Sequence, residues 1–453
     1  MTKRLGTCAA AITFASASAW AQPATEPSPA APEPAPPAAE PPTPAEAAAA
    51  PADQAAPAEA APPPAAAPAP EPTTAPAEAP AAAPAATQPP EPAAEPPAAE
   101  KPSEPSWTEH IKAKGDFRYR LETIDAEGSP LRHRHRVRAR VGLHAEVTSG
   151  LSVVVGLGSG EGSGPSGDPV SNNQTLGDSF SSKPVWLDLA YFEYAPLEEL
   201  GLALYGGKMK NPLYAVGKSE LLWDPDLNPE GGALKFSHAF GLVEPFVNAG
   251  AFYADERSGD RDGWIAAGQA GLQLTFADGA FYALAGGRYV DFRNLRGRTV
   301  LADPQDSFGN SATADADGNL TYDEDYDLAG GFLELGGKVM HIAWSVFGDL
   351  VQNTAVDEDN LGWLVGASFG KCKEPLDFCL RYIYREVERD AVVGAFTDSD
   401  FIGGGTDGKG HEINAGVQVA KGVQTGVTYF YNERPLVAGT EYQRSQIDLK
   451  LKF

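Results

Sequence analysis

From Trp107 to Phe453 the chain alternates apolar and polar residues with a period of two, in short runs broken by Gly, Pro, Asn and Asp. Side chains alternate faces along a strand, so each run has one apolar and one polar face, as in a half-buried strand rather than a helix. Sixteen runs can be marked, near 110–121, 132–148, 151–158, 185–195, 201–210, 233–240, 244–254, 264–276, 280–292, 327–338, 341–352, 361–371, 378–389, 411–420, 423–432 and 442–453. Their connectors alternate in length. Thr148-Ser149-Gly150, Ala277-Asp278-Gly279 and Lys421-Gly422 are tight, whereas 159–184, 293–326 and 390–410 are long. A soluble sandwich or propeller shares the alternation, but short turns opposite long loops are the mark of a transmembrane antiparallel β-barrel. No stretch approaches the roughly eighteen consecutive apolar residues of a membrane helix, so strands must do the crossing. An even count brings both ends of the barrel segment to the tight-turn side, expected to be periplasmic.

The first hundred residues are of another kind. Lys3 and Arg4 precede a small apolar core, Ala9 to Ala19, and Ala19-Trp20-Ala21 is a small-residue cleavage site before Gln22. This is the layout of a secretory signal peptide, residues 1–21. Cys8 lies inside it and not at the cleavage point, which argues against a lipid anchor. Residues 22–106 are almost entirely Pro, Ala, Glu and Thr, with no aromatic between Trp20 and Trp107. They cannot bury enough apolar surface to offset chain entropy, and are expected to form a disordered, partly polyproline II periplasmic linker. Extended at about 3.1 Å per residue, its ~85 residues would reach roughly 260 Å. Residues 107–453 are then the barrel domain.

Charge sharpens this picture. In Arg132 to Val141 every second residue is arginine, and the opposite face carries Val137, Ala139 and Val141. On a lipid face each arginine would cost about 2–4 kcal/mol near the midplane, so Arg134, Arg136, Arg138 and Arg140 are expected to face the water-filled interior. Lys208 and Lys210, two apart at the end of the fifth strand, are expected to join them on one face. The whole chain carries −26, and without residues 1–106, which hold three basic and twelve acidic residues, about −17 remains. The acid is concentrated in connectors such as 303–327 and 357–359, expected to be solvent-facing loops. An exported acidic chain excludes nucleic acid as the partner of the basic run. None of the seven histidines falls in a nucleophile–base motif, and His133 and His135 are expected to point outward, so no enzyme is indicated.

The segment between the fifth and sixth strands, 211–232, is too long for a hairpin and too apolar for a solvated loop, with Leu213, Tyr214, Val216, Leu221, Leu222 and Trp223. It should fold against the inner wall. Here Gly207-Lys208-Met209-Lys210-Asn211-Pro212, Leu221-Leu222-Trp223-Asp224-Pro225-Asp226 and Pro229-Glu230-Gly231 resemble the signature region of the bacterial outer-membrane "putative porin" family. The resemblance covers about 107–453. It implies a channel whose third external loop folds inward, opposing Asp224, Asp226 and Glu230 to the wall arginines. The last run, Ile447 to Phe453, alternates without fault and ends on an aromatic, resembling the assembly signal of outer-membrane barrels, with Phe453 as its terminal residue.

Two smaller features complete the reading. Cys372 and Cys379 flank a short turn and, in an oxidising compartment, are expected to form a disulfide. Residues 313–324, aligned on Gly318, resemble a calcium-binding EF-hand loop, with Asp315, Asp317, Asn319 and Glu324 as candidate ligands. Thr313 departs from the usual first ligand, and no flanking helix is evident. The function expected is passive diffusion of small hydrophilic solutes and ions through an outer-membrane porin, without cofactor. The alternative is a structural tether holding the cell wall through the Pro-rich arm. Candidate partners are outer-membrane lipid, the barrel-assembly machinery, peptidoglycan through residues 22–106, and further copies in a homotrimer.

Overall fold

The computed structural model describes residues 110–162, 168–434 and 439–453. The expected signal peptide, 1–21, and the Pro/Ala/Glu-rich segment, 22–106, lie outside the described residues. The first strands are β1 (Ile111–Ala126), β2 (Arg132–Thr148), β3 (Leu151–Ser159), the two-residue β4 (Gln174–Thr175), β5 (Val185–Leu197), β6 (Leu202–Lys208) and β7 (Glu230–Ser237). Then come β8 (Val243–Asp255), β9 (Gly263–Phe276), β10 (Phe281–Arg293), a hairpin of β11 (Ala312–Ala314) and β12 (Leu320–Tyr322), and β13 (Tyr326–Val339). The chain ends with β14 (Ile342–Asn353), β15 (Leu361–Gly370), β16 (Phe378–Val387), β17 (Gly408–Ala420), β18 (Val423–Arg434) and β19 (Thr440–Lys452).

Successive wall strands pair antiparallel, and β1 pairs with β19 to close the sheet. Leaving out β4, which pairs with β2 within a connector, and the separate β11–β12 hairpin, the closed wall has sixteen strands. These are the sixteen runs marked in the sequence. Two begin three residues earlier than expected, β7 at Glu230 and β17 at Gly408. At β7 the cause is visible: Gly231 and Gly232 continue the ladder opposite Gly207 and Gly206. Glycine weakens a strand signal in sequence but keeps both backbone hydrogen-bonding groups.

At the end of the closing seam a glycine meets the terminal aromatic. Gly115 N–H donates to Phe453 O at 3.0 Å and Phe453 N–H to Gly115 O at 3.1 Å. A Cβ at Gly115 would stand 2.5 Å from the Phe453 ring and 2.8 Å from Arg140 O, so a side chain there would force the ring aside and crowd the β2 backbone. Around the wall, Val141, Leu143, Val153, Val155, Leu157, Leu272, Leu274, Ile447 and Leu449 are exposed on the outer face. This is the apolar belt a membrane barrel presents to lipid.

The apolar core lies inside the barrel. Met209, Val216, Leu221, Leu222, Trp223 and Leu227, from the segment between β6 and β7, are buried against Phe252, Phe347, Val351 and Leu364 of the wall. Tyr214 ties the segment to β9, donating its N–H to Gln269 Oε1 at 2.7 Å and accepting from Gln269 Nε2 at 2.9 Å. Apolar parts of two other long connectors also turn inward, one of them overlapping the 303–327 stretch expected to face solvent. Leu295, Val300, Leu301 and Tyr322 of one, and Ala391, Val392, Val393 and Ala395 of another, join the same cluster. In the first of these, the acidic residues Asp303, Asp306, Asp315 and Asp317 remain exposed, as expected, whereas Asp390 and Asp398 of the second are buried. Each connector is amphipathic without a regular period, so sequence shows its charge but not which part of it is buried.

Candidate functional site

The site is the inner face of β1, β2 and β19 together with the connector residues that meet it. The register sets the inward residues of β2, β1 and β19 side by side in rows: Arg134–Glu122–Gln446, Arg136–Arg120–Asp448, Arg138–Arg118–Lys450 and Arg140–Asp116–Lys452. The arginine alternation in β2 therefore has a counterpart in Asp116, Arg118, Arg120 and Glu122 of β1. That pattern was legible in the sequence by the same two-residue spacing, but was overlooked because acids interrupt it.

Most of these arginines are neutralised. Arg138 and Arg140 both donate to Asp116, at 2.9 and 2.8 Å, and both pair with Asp226, at 3.5 and 2.9 Å. Arg120 bonds Asp448 at 2.7 Å and Asp400 at 3.0 Å. Glu122 takes Arg444 at 2.5 Å and also Arg134. Arg136 reaches Glu161 at 3.4 Å. Arg118 is buried and donates to Asn173 Oδ1 at 2.5 Å, with no carboxylate partner among the described residues. The loop acids thus touch the arginines rather than facing them across a gap.

Asp224 and Asp226 are separated in role. Asp226 pairs with the wall, whereas Asp224 is buried and accepts the N–H groups of Asp226 and Ser399, at 2.8 and 3.3 Å. The N–H of Asp224 donates to Phe396 O at 2.7 Å, so the 209–229 and 388–407 connectors are joined here. Asp224, Glu220 and Asp398 have carboxylate oxygens within 4.8 Å of one another. Burial, then the charges of Asp398 and Asp224, push the Glu220 carboxyl well up. Burial, then Asp226 and Asp398, push Asp224 up as well. Asp400 behaves oppositely: burial alone would raise it, but Arg444 and Arg120 prevail and hold it below the usual carboxylate range.

A carboxyl raised in the folded state contributes stability while protonated and loses it as pH rises through its folded pKa. Glu220→Gln is therefore expected to raise the midpoint temperature of barrel unfolding at neutral pH. It should leave the midpoint unchanged below the ordinary carboxyl range, where Glu220 is protonated in any case. A gain of equal size at both pH values would mean that repulsion is not the cause.

The other expected residues fall as follows. Lys210 lines the same cavity as Arg138 and Arg140 and donates to Asn228 Oδ1 at 2.8 Å. Lys208 does not share its face. The register sets Lys208 opposite Ala190 and Glu230, in line with the exposed Phe192 and Tyr194. Lys208 and Glu230 pair with each other on that outer face at 2.7 Å, so neither lines the interior. The ladder ends at Lys208, and the two-residue rule no longer relates it to Lys210.

Cys372 and Cys379 are joined by a disulfide with an S–S distance of 2.06 Å. In the 313–324 segment, Asp315 Oδ1 accepts the N–H groups of Asp317 and Asn319, both at 2.9 Å, in the β11–β12 turn. This is turn chemistry, and Asp315, Asp317 and Glu324 do not form a close acidic group; among the described residues that group is Glu220, Asp224 and Asp398. Sequence reasoning missed Asp398 and Asp400, because nothing in a long connector signals which of its acids will fold inward.

A cavity of about 1140 Å³ runs between this wall and the connectors, bounded by Arg118, Arg138 and Arg140 on the wall and by Asp224, Asp226 and Asp400 from the loops. It is open and lined by charged groups of both signs.

Among solved structures, OprB of Pseudomonas putida is similar at a TM-score of 0.48 and 12% identity, covering 76% of this chain and 95% of that one. OmpF of Salmonella typhi is similar at 0.46 and 10%, covering 77% and 99%. A loop-deleted OmpT of Vibrio cholerae follows at 0.42 and 12%, covering 76% and 100%. No curated protein matches the chain. The assignment rests instead on the family match, over residues 127–318 and 305–453, which spans most of the barrel. The chain belongs to the family described as "Putative porin".

Proposed function

We propose that this protein is an outer-membrane porin through which small hydrophilic solutes and ions diffuse passively, and that the third external loop, between β6 and β7, narrows the path. The observation that carries this is the meeting of Asp226 with Arg138 and Arg140, which brings an inward-folded loop and a charged wall to one place. Family and fold favour a channel over an enzyme. In this reading the tight turns, with both ends of the barrel, face the periplasm, and the long connectors enter from outside.

The wall has more cations than its carboxylates offset, with Arg118 and Lys452 in no ion pair among the described residues, and Lys210 of the inward loop adds a further cation. Passing ions come within one Debye length, about 8 Å at physiological salt, of these groups, whereas the exposed loop acids are screened. A weak preference for anions is the expected balance.

The deciding experiment is reconstitution of the full chain in planar bilayers. Stepwise conductance in potassium chloride, with a reversal potential displaced toward that of chloride, is expected. A barrel that assembles and fractionates with the outer membrane yet never conducts would leave the structural tether as the function.

A further inference from the structure

The cavity extends to the tight-turn end of the barrel, where Gly279, Gly370 and Cys372 are part of its lining. Its charge changes there. Lys218, Lys371 and Lys452 line this part, and among the described residues none of the three is in an ion pair. Each comes from a different element: Lys218 from the 209–229 connector, Lys371 from the turn after β15, and Lys452 from the last position of β19. Lys218 lies close enough to Arg381 of β16, Lys452 and Lys371 to feel the charge of each, and Glu220 acts on it in the opposite sense.

Like charges gathered from three elements require something to hold them. Gly217 and Lys218 have φ of 53° and 60°, in the left-handed region, which is uncommon for a lysine. Arg381 fixes this conformation by donating to Gly217 O at 3.2 Å and Lys218 O at 2.8 Å. The turn carrying Lys371 is closed by the Cys372–Cys379 disulfide. Backbone held in a sparsely populated region is a pointer to function when the result is otherwise unfavourable. Of the acids nearby, Glu412 is occupied by Arg381 at 3.0 Å and Asn414 at 2.5 Å. Glu220 is crowded by Asp224 and Asp398.

We propose that Lys218, Lys371 and Lys452, braced by Arg381, form an anion-binding station beneath the inward loop for small multiply charged oxyanions, the class of phosphates and polycarboxylates. Three ammonium groups on flexible stems suit anions of varied shape, since lysine offers a point charge without a fixed fork. The station rests on the channel reading, and would hold a multivalent anion at the tight-turn side of the narrow path.

The test uses the full chain in planar bilayers in potassium chloride, with inorganic pyrophosphate or citrate added to one side at a time. Saturable reduction of current is expected from the tight-turn side, for both anions, with acetate ineffective. The double variant Lys218→Gln/Lys371→Gln should raise the half-blocking concentration by about tenfold or more, and Lys218→Arg/Lys371→Arg should restore the block. Block by only one of the two anions would narrow the station to that chemistry and overturn the shared class. Current without any saturable block overturns the station while leaving the channel standing. Absence of current in the wild-type chain overturns the channel itself.

Discussion

A chain in which residues 211–228 are replaced by a short glycine–serine turn is expected to conduct several-fold more current than the wild type and still to migrate as a heat-modifiable barrel. The wall closes through its own ladders, including β1 with β19, and does not need the segment for pairing. What the segment supplies is cover. Val216, Leu221, Leu222 and Trp223 bury the inward faces of Phe252, Phe347, Val351 and Leu364, and each such side chain is worth about 1.5–3 kcal/mol when fully removed from water. The shortened barrel should therefore unfold at a lower temperature while passing larger solutes. Unchanged conductance would mean that the segment does not narrow the path.

Replacing Arg138 and Arg140 together with serine should move the reversal potential toward cations. These two side chains share Asp116 and Asp226, so their removal leaves two carboxylates facing the path without counterions. Lysine at the same two positions keeps the charge and should keep the preference for anions, although it loses the bidentate geometry. Asp226→Asn should act oppositely, strengthening anion preference by freeing the same arginines. If the serine pair leaves both reversal potential and conductance unaltered, the wall rows lie away from the narrowest point and selectivity is set elsewhere.

The barrel was legible because its determinants are local. Alternation, tight turns and a residue type that lipid will not accept are all readable within ten residues of one another, and Arg134 to Arg140 declared their face on energetic grounds alone. The interior was less so. Whether Asp224 meets a wall arginine or another acid depends on where Phe396 and Ser399 lie, and they are about 170 residues further on. The Lys208–Lys210 relation failed for a smaller reason, the end of a ladder between them. The β7 start was hidden by glycines that pair as well as any residue. Arg118 and Arg120 were readable and missed, their pattern masked by the acids beside them.

The union of the 209–229 and 388–407 connectors also bears on how such a passage could be regulated. A lid needs a hinge at each end and a free tip, but the tip of this segment is bound at Tyr214, at Asp224 and at Asp226 to three different parts of the molecule. Moving it would uncover the apolar filling that two other connectors share. Under the channel reading it is masonry rather than a door: a sieve of fixed aperture, in which flow is adjusted by how many copies the membrane holds.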